Sequence, residues 1–160
     1  MSLIGWLKGN RLVDVTAQDP LPVQQQGAIT TRTADTLLVA TTTVTTTNRD
    51  LMENTNTETP TLDNCGQYRK LVWFYFRTGA AATTYRILAR TTDLSAQPLG
   101  TGWQEIVPAT PLPGNGVANS WGRIEIPTAG DGYYDQYRVE VYRTDGSNYT
   151  LTSKLIGVRG

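Results

Sequence analysis

A chain of 160 residues is about the size of one domain and long enough to close a hydrophobic core of its own. Its 14 basic residues balance its 14 acidic ones, which removes the electrostatic footprint of a nucleic-acid or anionic-membrane binder; with no histidine, the commonest general base and metal ligand is missing too. Cys65 is the only cysteine, so no intrachain disulfide can form, and no apolar run approaches the roughly twenty residues that cross a bilayer.

At the amino terminus, Met1 to Lys8 is apolar only briefly and has no basic stretch ahead of it, so it does not read as a secretory signal. The spacing from Leu3 to Leu7 allows at most one helical turn. Arg11 to Thr16 has the composition of a strand, Asp19 to Val23 is held extended by Pro20 and Pro22, and Gln24 to Gly27 reads as a hinge. Leu3, Ile4, Trp6, Leu7, Leu12, Val13 and Val15 make residues 1–27 too apolar for a free tail and too short to pack alone. These residues are expected to form an extended arm that docks on its own body or on a neighbour.

Residues 28–160 read as an all-β domain, because threonine is abundant and no stretch of ten or more residues has its apolar positions at helical spacing. Strands are expected at Ala28 to Arg32 and Leu37 to Thr46, followed by a turn-rich segment from Arg49 to Pro60. Leu71 to Phe76 has no polar side: Val72, Phe74 and Phe76 fill one face and Leu71, Trp73 and Tyr75 the other. One face must meet an opposing sheet and the second needs another cover, so Leu71, Trp73 and Tyr75 join the arm residues as expected partner contacts.

Further along, Tyr85 to Arg90, Trp103 to Val107 and Arg123 to Ile126 are expected strands, separated by turn-forming segments that include Ala109 to Ser120. Tyr137, Val139 and Val141 alternate with Arg138, Glu140 and Tyr142, and Thr144 to Ser147 is expected to turn this strand back as a hairpin onto Tyr149 to Ile156. The arginines and glutamates of these strands would form cross-strand pairs on the solvent side. About eight strands with intervening turns suggest an antiparallel β-sandwich of jelly-roll or Greek-key type, with an immunoglobulin-like order as the alternative.

No catalytic constellation stands out. Cys65 has no histidine to activate it, and no second cysteine exists to complete a zinc site. Gly100-Thr101-Gly102 and Gly114-Asn115-Gly116 do not continue into a phosphate-binding fingerprint and read as loop glycines. Glu105, Glu125, Glu140, Asp131 and Asp135 could in principle supply a glycosidase pair, but Glu125 and Glu140 occupy outward strand positions and read as solvated charges. Asp131 to Asp135 lacks EF-hand spacing and is better explained as a turn. Trp73, Trp103, Trp121, Tyr133 and Tyr134 could stack on sugar rings, against the plainer reading of core or interface packing. The expected protein is therefore no enzyme and carries no cofactor or metal.

Arg11 to Thr16, Asp19 to Val23, the threonine-rich strand and the sandwich together resemble a small virion structural protein of a tailed bacteriophage. That resemblance implies a capsid decoration (cement) protein, or an accessory protein of the head, neck or tail, made in the bacterial host cytoplasm and carried in the virion. It further implies contact with the major capsid protein or another virion protein, and a homo-oligomer, with a trimer favoured. The competing class is a carbohydrate-binding module on a virion surface.

Overall fold

The computed structural model describes residues 5–8, 11–14, 33–53, 59–91, 102–127 and 134–159, the first two stretches as backbone only. The chain divides into two compact units, Met1–Thr31 and Arg32–Gly160. The first contains a two-stranded antiparallel sheet of β1 (Gly5–Lys8) and β2 (Arg11–Asp14), in which Trp6 stands opposite Val13 and Leu7 opposite Leu12. The single helical turn that the spacing of Leu3 to Leu7 allowed is not formed from Gly5 onward, where the chain is a strand. One turn cannot repay the cost of nucleating a helix, whereas a partner two residues further along supplies ladder bonds at once. Leu3, Ile4, Val15 and the expected strand at Ala28 to Arg32 lie outside the described residues.

The second unit is a β-sandwich of eight strands: β3 (Ala34–Val44), β4 (Arg49–Asp50), β5 (Lys70–Arg77), β6 (Thr83–Arg90), β7 (Gln104–Pro111), β8 (Ser120–Ile126), β9 (Gln136–Arg143) and β10 (Tyr149–Val158). One sheet has the order β3-β10-β5-β8 and the other β4-β9-β6-β7, with every pairing antiparallel. The pairs β3–β10, β4–β9, β5–β8 and β6–β7 are nested one inside the next, which is the winding of a jelly roll. The helix among the described residues is a single 3-10 turn, Cys65–Gln67.

The expected hairpin between β9 and β10 is not formed. These strands belong to opposite sheets, β9 lying between β4 and β6 and β10 between β3 and β5. Each carries an apolar row, Tyr137, Val139 and Val141 on β9 and Tyr149, Leu151 and Leu155 on β10, and facing each other across the sandwich buries both rows in one core. The connection is an arch pinned by Arg143, whose Nε donates to Asn148 Oδ1 at 2.8 Å and whose Nη1 donates to the Gly146 carbonyl at 2.6 Å. Gly146 sits at φ 69, where a side chain would be strained.

At the centre of the core, Trp73 of β5 packs on Tyr75 and Tyr85, with ring centroids 5.1 and 5.8 Å apart. The Tyr75 ring crosses β8 where it has no side chain: a Cβ on Gly122 would lie 2.1 Å from the ring. One cation enters this interior. Arg77, wholly buried, donates from Nε to the Gly79 carbonyl and from Nη1 to Asn115 Oδ1, both at 2.8 Å, and from Nη2 to the Ala81 carbonyl. Its guanidinium also lies over the Tyr149 ring, 5.0 Å from the centroid, so the charge is solvated by fixed dipoles and a π face.

The outer face of the β4-β9-β6-β7 sheet corrects another expectation. Glu140 does pair with Arg86, its direct cross-strand neighbour, but Glu140 and Arg138 are each only 3% exposed and do not form a solvated face. Arg138 pairs with the second oxygen of Glu140 at 2.6 Å, and Asn48 Nδ2 also donates to the carboxylate. Burial of such a group is tolerable because Oε2 accepts from Arg86 and Asn48 while Oε1 faces the Arg138 cation.

Replacing Arg77 by methionine removes the guanidinium donors from the Gly79 and Ala81 carbonyls and from Asn115 Oδ1 inside the sandwich. The substitution is expected to lower unfolding free energy by about 2–4 kcal/mol, read from the shift in urea midpoint. A second expectation concerns pH. Burial pushes the Cys65 thiol from 9.0 up to about 12, and the Tyr75 and Tyr137 phenols from 10.0 up to about 12. These groups hold their protons more tightly when folded, so their contribution is complete below about pH 9.0 and is lost as pH rises toward 12. Urea midpoints should be level in this respect from pH 7 to 8.5 and fall above pH 9; a midpoint that held steady to pH 11 would contradict the burial of these groups.

Candidate functional site

The pleat of β5 decides which aromatic side chains are available to a partner. Leu71, Trp73 and Tyr75, expected at a partner contact, point into the sandwich and are at most 1% exposed. They cannot touch another molecule, because the opposite sheet presents Tyr85, Ile87, Val139 and Val141 to the same core. The other face of the strand turns outward, with Phe74 exposed and Phe76 half-buried, while Val72 on the same face is buried.

The cross-strand register assembles rows on this outward face. One row runs Val39, Lys154, Phe74, Arg123, and the next Thr41, Thr152, Phe76, Trp121, in each case across β3, β10, β5 and β8. Trp121 is 78% exposed and Val39 66%, the most exposed of the large apolar side chains among the described residues. Phe76 braces the Trp121 ring at 4.8 Å between centroids and 45° between planes. Between the rows lies a shallow depression of about 470 Å³ lined by Val39, Phe74, Trp121, Thr152, Lys154 and Ile156.

Charges frame the apolar strip. Glu125, opposite Val72, accepts from Lys70 Nζ at 2.7 Å and from Arg123. The hydrogen bonds from Lys70 and then Arg123 hold its carboxyl below the ordinary value. Lys154, in the row between Val39 and Phe74, makes no ion pair among the described residues.

Among the described residues, two of the other candidates, Glu105 and Glu140, meet at Arg86, which pairs with both. Glu125 and Glu140 stand on the outer faces of opposite sheets, each neutralised by its own cations, so these two carboxylates do not converge. Glu105 lies 3.7 Å from Arg86. Cys65 is buried, with its thiol donating to the Asp63 carbonyl at 3.5 Å. Trp103 lies under the Arg90 guanidinium, 4.4 Å from ring centre to cation. Asp131 and Tyr133 fall outside the described residues, and Tyr134 donates to Gln104 Oε1 at 3.1 Å. Among the described residues no three His, Cys, Asp or Glu side chains group as a metal site would require.

Sequence reasoning weighed Trp121 only as one aromatic among five, and passed over Val39 and Lys154. The signal for Trp121 was present: it shares parity with Arg123 and Glu125, while Ile124 and Ile126 take the buried parity. No protein-family model, curated protein or solved structure matches this chain.

The two tryptophans on paired strands β5 and β8 separate core from surface. Trp73→Ala is expected to cost about 3–5 kcal/mol of stability. Trp121→Ala should change it by less than about 0.5 kcal/mol, since its ring is mostly in solvent. Chemical denaturation of both variants checks the assignment, and a large loss from Trp121→Ala would reverse it.

Proposed function

We propose that this chain is a non-enzymatic structural protein of a virion, most simply a capsid decoration (cement) protein, with a head-tail, neck or tail accessory role as the alternative location. Residues 1–27 attach it to the major capsid protein or another virion protein, and copies group as a homo-oligomer, a trimer being favoured. The jelly-roll body carries the second contact surface, the outward face of β3-β10-β5-β8. The observation that supports this reading is that face: Trp121, Phe74 and Val39 are exposed together on one sheet of a body that has already closed its own core.

In mechanism, the work is done by association. Apolar surface on the arm and the sheet is removed from water at about 25 cal/mol per Å², against the cost of ordering the arm. The separate compactness of Arg32–Gly160 suits a division between a body and an attached segment. Paired and separated carboxylates at Glu125 and Glu140 favour a binding role over a hydrolytic one.

Purified virions of the source phage, analysed by quantitative mass spectrometry, are expected to contain the chain in fixed ratio to the major capsid protein. A version starting at residue 28 should fold, retain the urea transition of the body and fail to bind particles. Absence of the chain from virions would overturn the structural role, and full-strength particle binding by the shortened version would overturn the role of the arm.

A further inference from the structure

We infer that the outward face of the β3-β10-β5-β8 sheet is a binding site for an acidic polysaccharide, with Trp121 and Phe74 stacking on sugar rings and Lys154 and Arg123 pairing with carboxylates. The inference rests on reading this face as a partner surface, and not on the chain belonging to a virion.

Sugar rings present flat C–H faces, and an indole held rigidly in solvent is the side chain that best covers one. Trp121 is such an indole in exposure: 78% of it is open to solvent, and Phe76 packs beside it at 4.8 Å between centroids, which reduces the freedom to be lost on binding. Phe74 lies one row further along the sheet, across the depression of about 470 Å³, which gives a chain of linked rings a second contact.

Charge selects the class of saccharide. Although the whole chain is neutral, the outward positions of these four strands carry Lys70, Arg123 and Lys154 against the single carboxylate of Glu125. Lys154 stands between Val39 and Phe74 in the outward rows with no ion pair among the described residues, which leaves its ammonium to meet an anionic substituent.

Two other occupants fit less well. A second copy docking by a two-fold axis would set this cationic face against itself, a like-charge arrangement that opposes association. A nucleic acid offers phosphates that want donors alone, and binds basic stripes. Here Glu125 and the hydroxyls of Thr41 and Thr152, 3.4 Å apart, intersperse acceptors among the cations. That mixture matches vicinal sugar hydroxyls beside a carboxylate.

The test is affinity electrophoresis of the full chain in native gels containing polygalacturonate, alginate or polysialic acid, with dextran, polyglutamate and oligo-dT gels as controls. Retardation is expected with at least one acidic polysaccharide and with none of the controls. It should weaken roughly tenfold or more in Trp121→Ala and in Lys154→Glu, both checked for an unchanged thermal transition. Lack of retardation across the three acidic polysaccharides overturns the inference. So does equal retardation by polyglutamate or oligo-dT, which would reveal a plain polyanion site, and so does retention that survives Trp121→Ala. Self-association abolished by Trp121→Ala without polysaccharide binding would give the face to a second copy. Particle binding without polysaccharide binding would sink this inference and leave the virion role standing, whereas the reverse pair of results would do the opposite.

Discussion

The phase of the pleat in β5 is the constraint on which both core and surface depend. Every side chain from Leu71 to Phe76 is apolar, so composition alone leaves the two faces nearly equivalent. A slip of one residue would exchange Trp73 and Tyr75 for Phe74 and Phe76. What holds the phase is shape and polarity at particular neighbours. The Tyr75 ring needs the bare backbone of Gly122, and its hydroxyl donates to the Pro113 carbonyl at 2.8 Å. Arg77, on the same parity, needs the ring of carbonyls and the Tyr149 face that only the interior end of the sandwich provides. Phe74 and Phe76 have no such fixed partners inside, and they take the outward positions.

The two sheets solve the problem of their outer faces in opposite ways. On β4-β9-β6-β7 the outward Gln136, Arg138 and Glu140 of β9 are polar and buried, and Arg86, Arg138 and Asn48 converge on Glu140. On the same strand, Gln136 accepts from Arg90 and donates to Asp63. Such a face turns much of its hydrogen-bonding capacity inward, although Asn48 Oδ1 and Arg49 Nε are buried there without a hydrogen-bond partner among the described residues. On β3-β10-β5-β8 the outward rows are apolar and open, with a lysine among them. This asymmetry is why the proposed recognition surface lies on one sheet only.

Nesting of strand pairs explains how a chain of this length brings distant residues into those rows. Because β3 pairs with β10 and β5 with β8, Val39, Lys154, Phe74 and Arg123 become lateral neighbours although they come from four separate parts of the sequence. The arch between β9 and β10 is essential to the arrangement, since a hairpin there would have put both strands in one sheet and left β5 with β8 as its one neighbour.

The sequence by itself determined the class and most of the strands. Alternation in Tyr85 to Arg90, Arg123 to Ile126 and Tyr137 to Tyr142 is a local property, and each segment is a strand in the structure. Parity also made Trp121 readable as a surface residue, because the isoleucines beside it are unambiguous about which side is inward. Only the tertiary structure decided three things: the side of β5 that faces the core, the sheet to which β10 belongs, and the burial of Glu140. Each depends on what stands opposite, and a strand whose two faces are both apolar, a turn that can close either a hairpin or an arch, and a carboxylate that can meet either water or arginines carry no local mark of the choice.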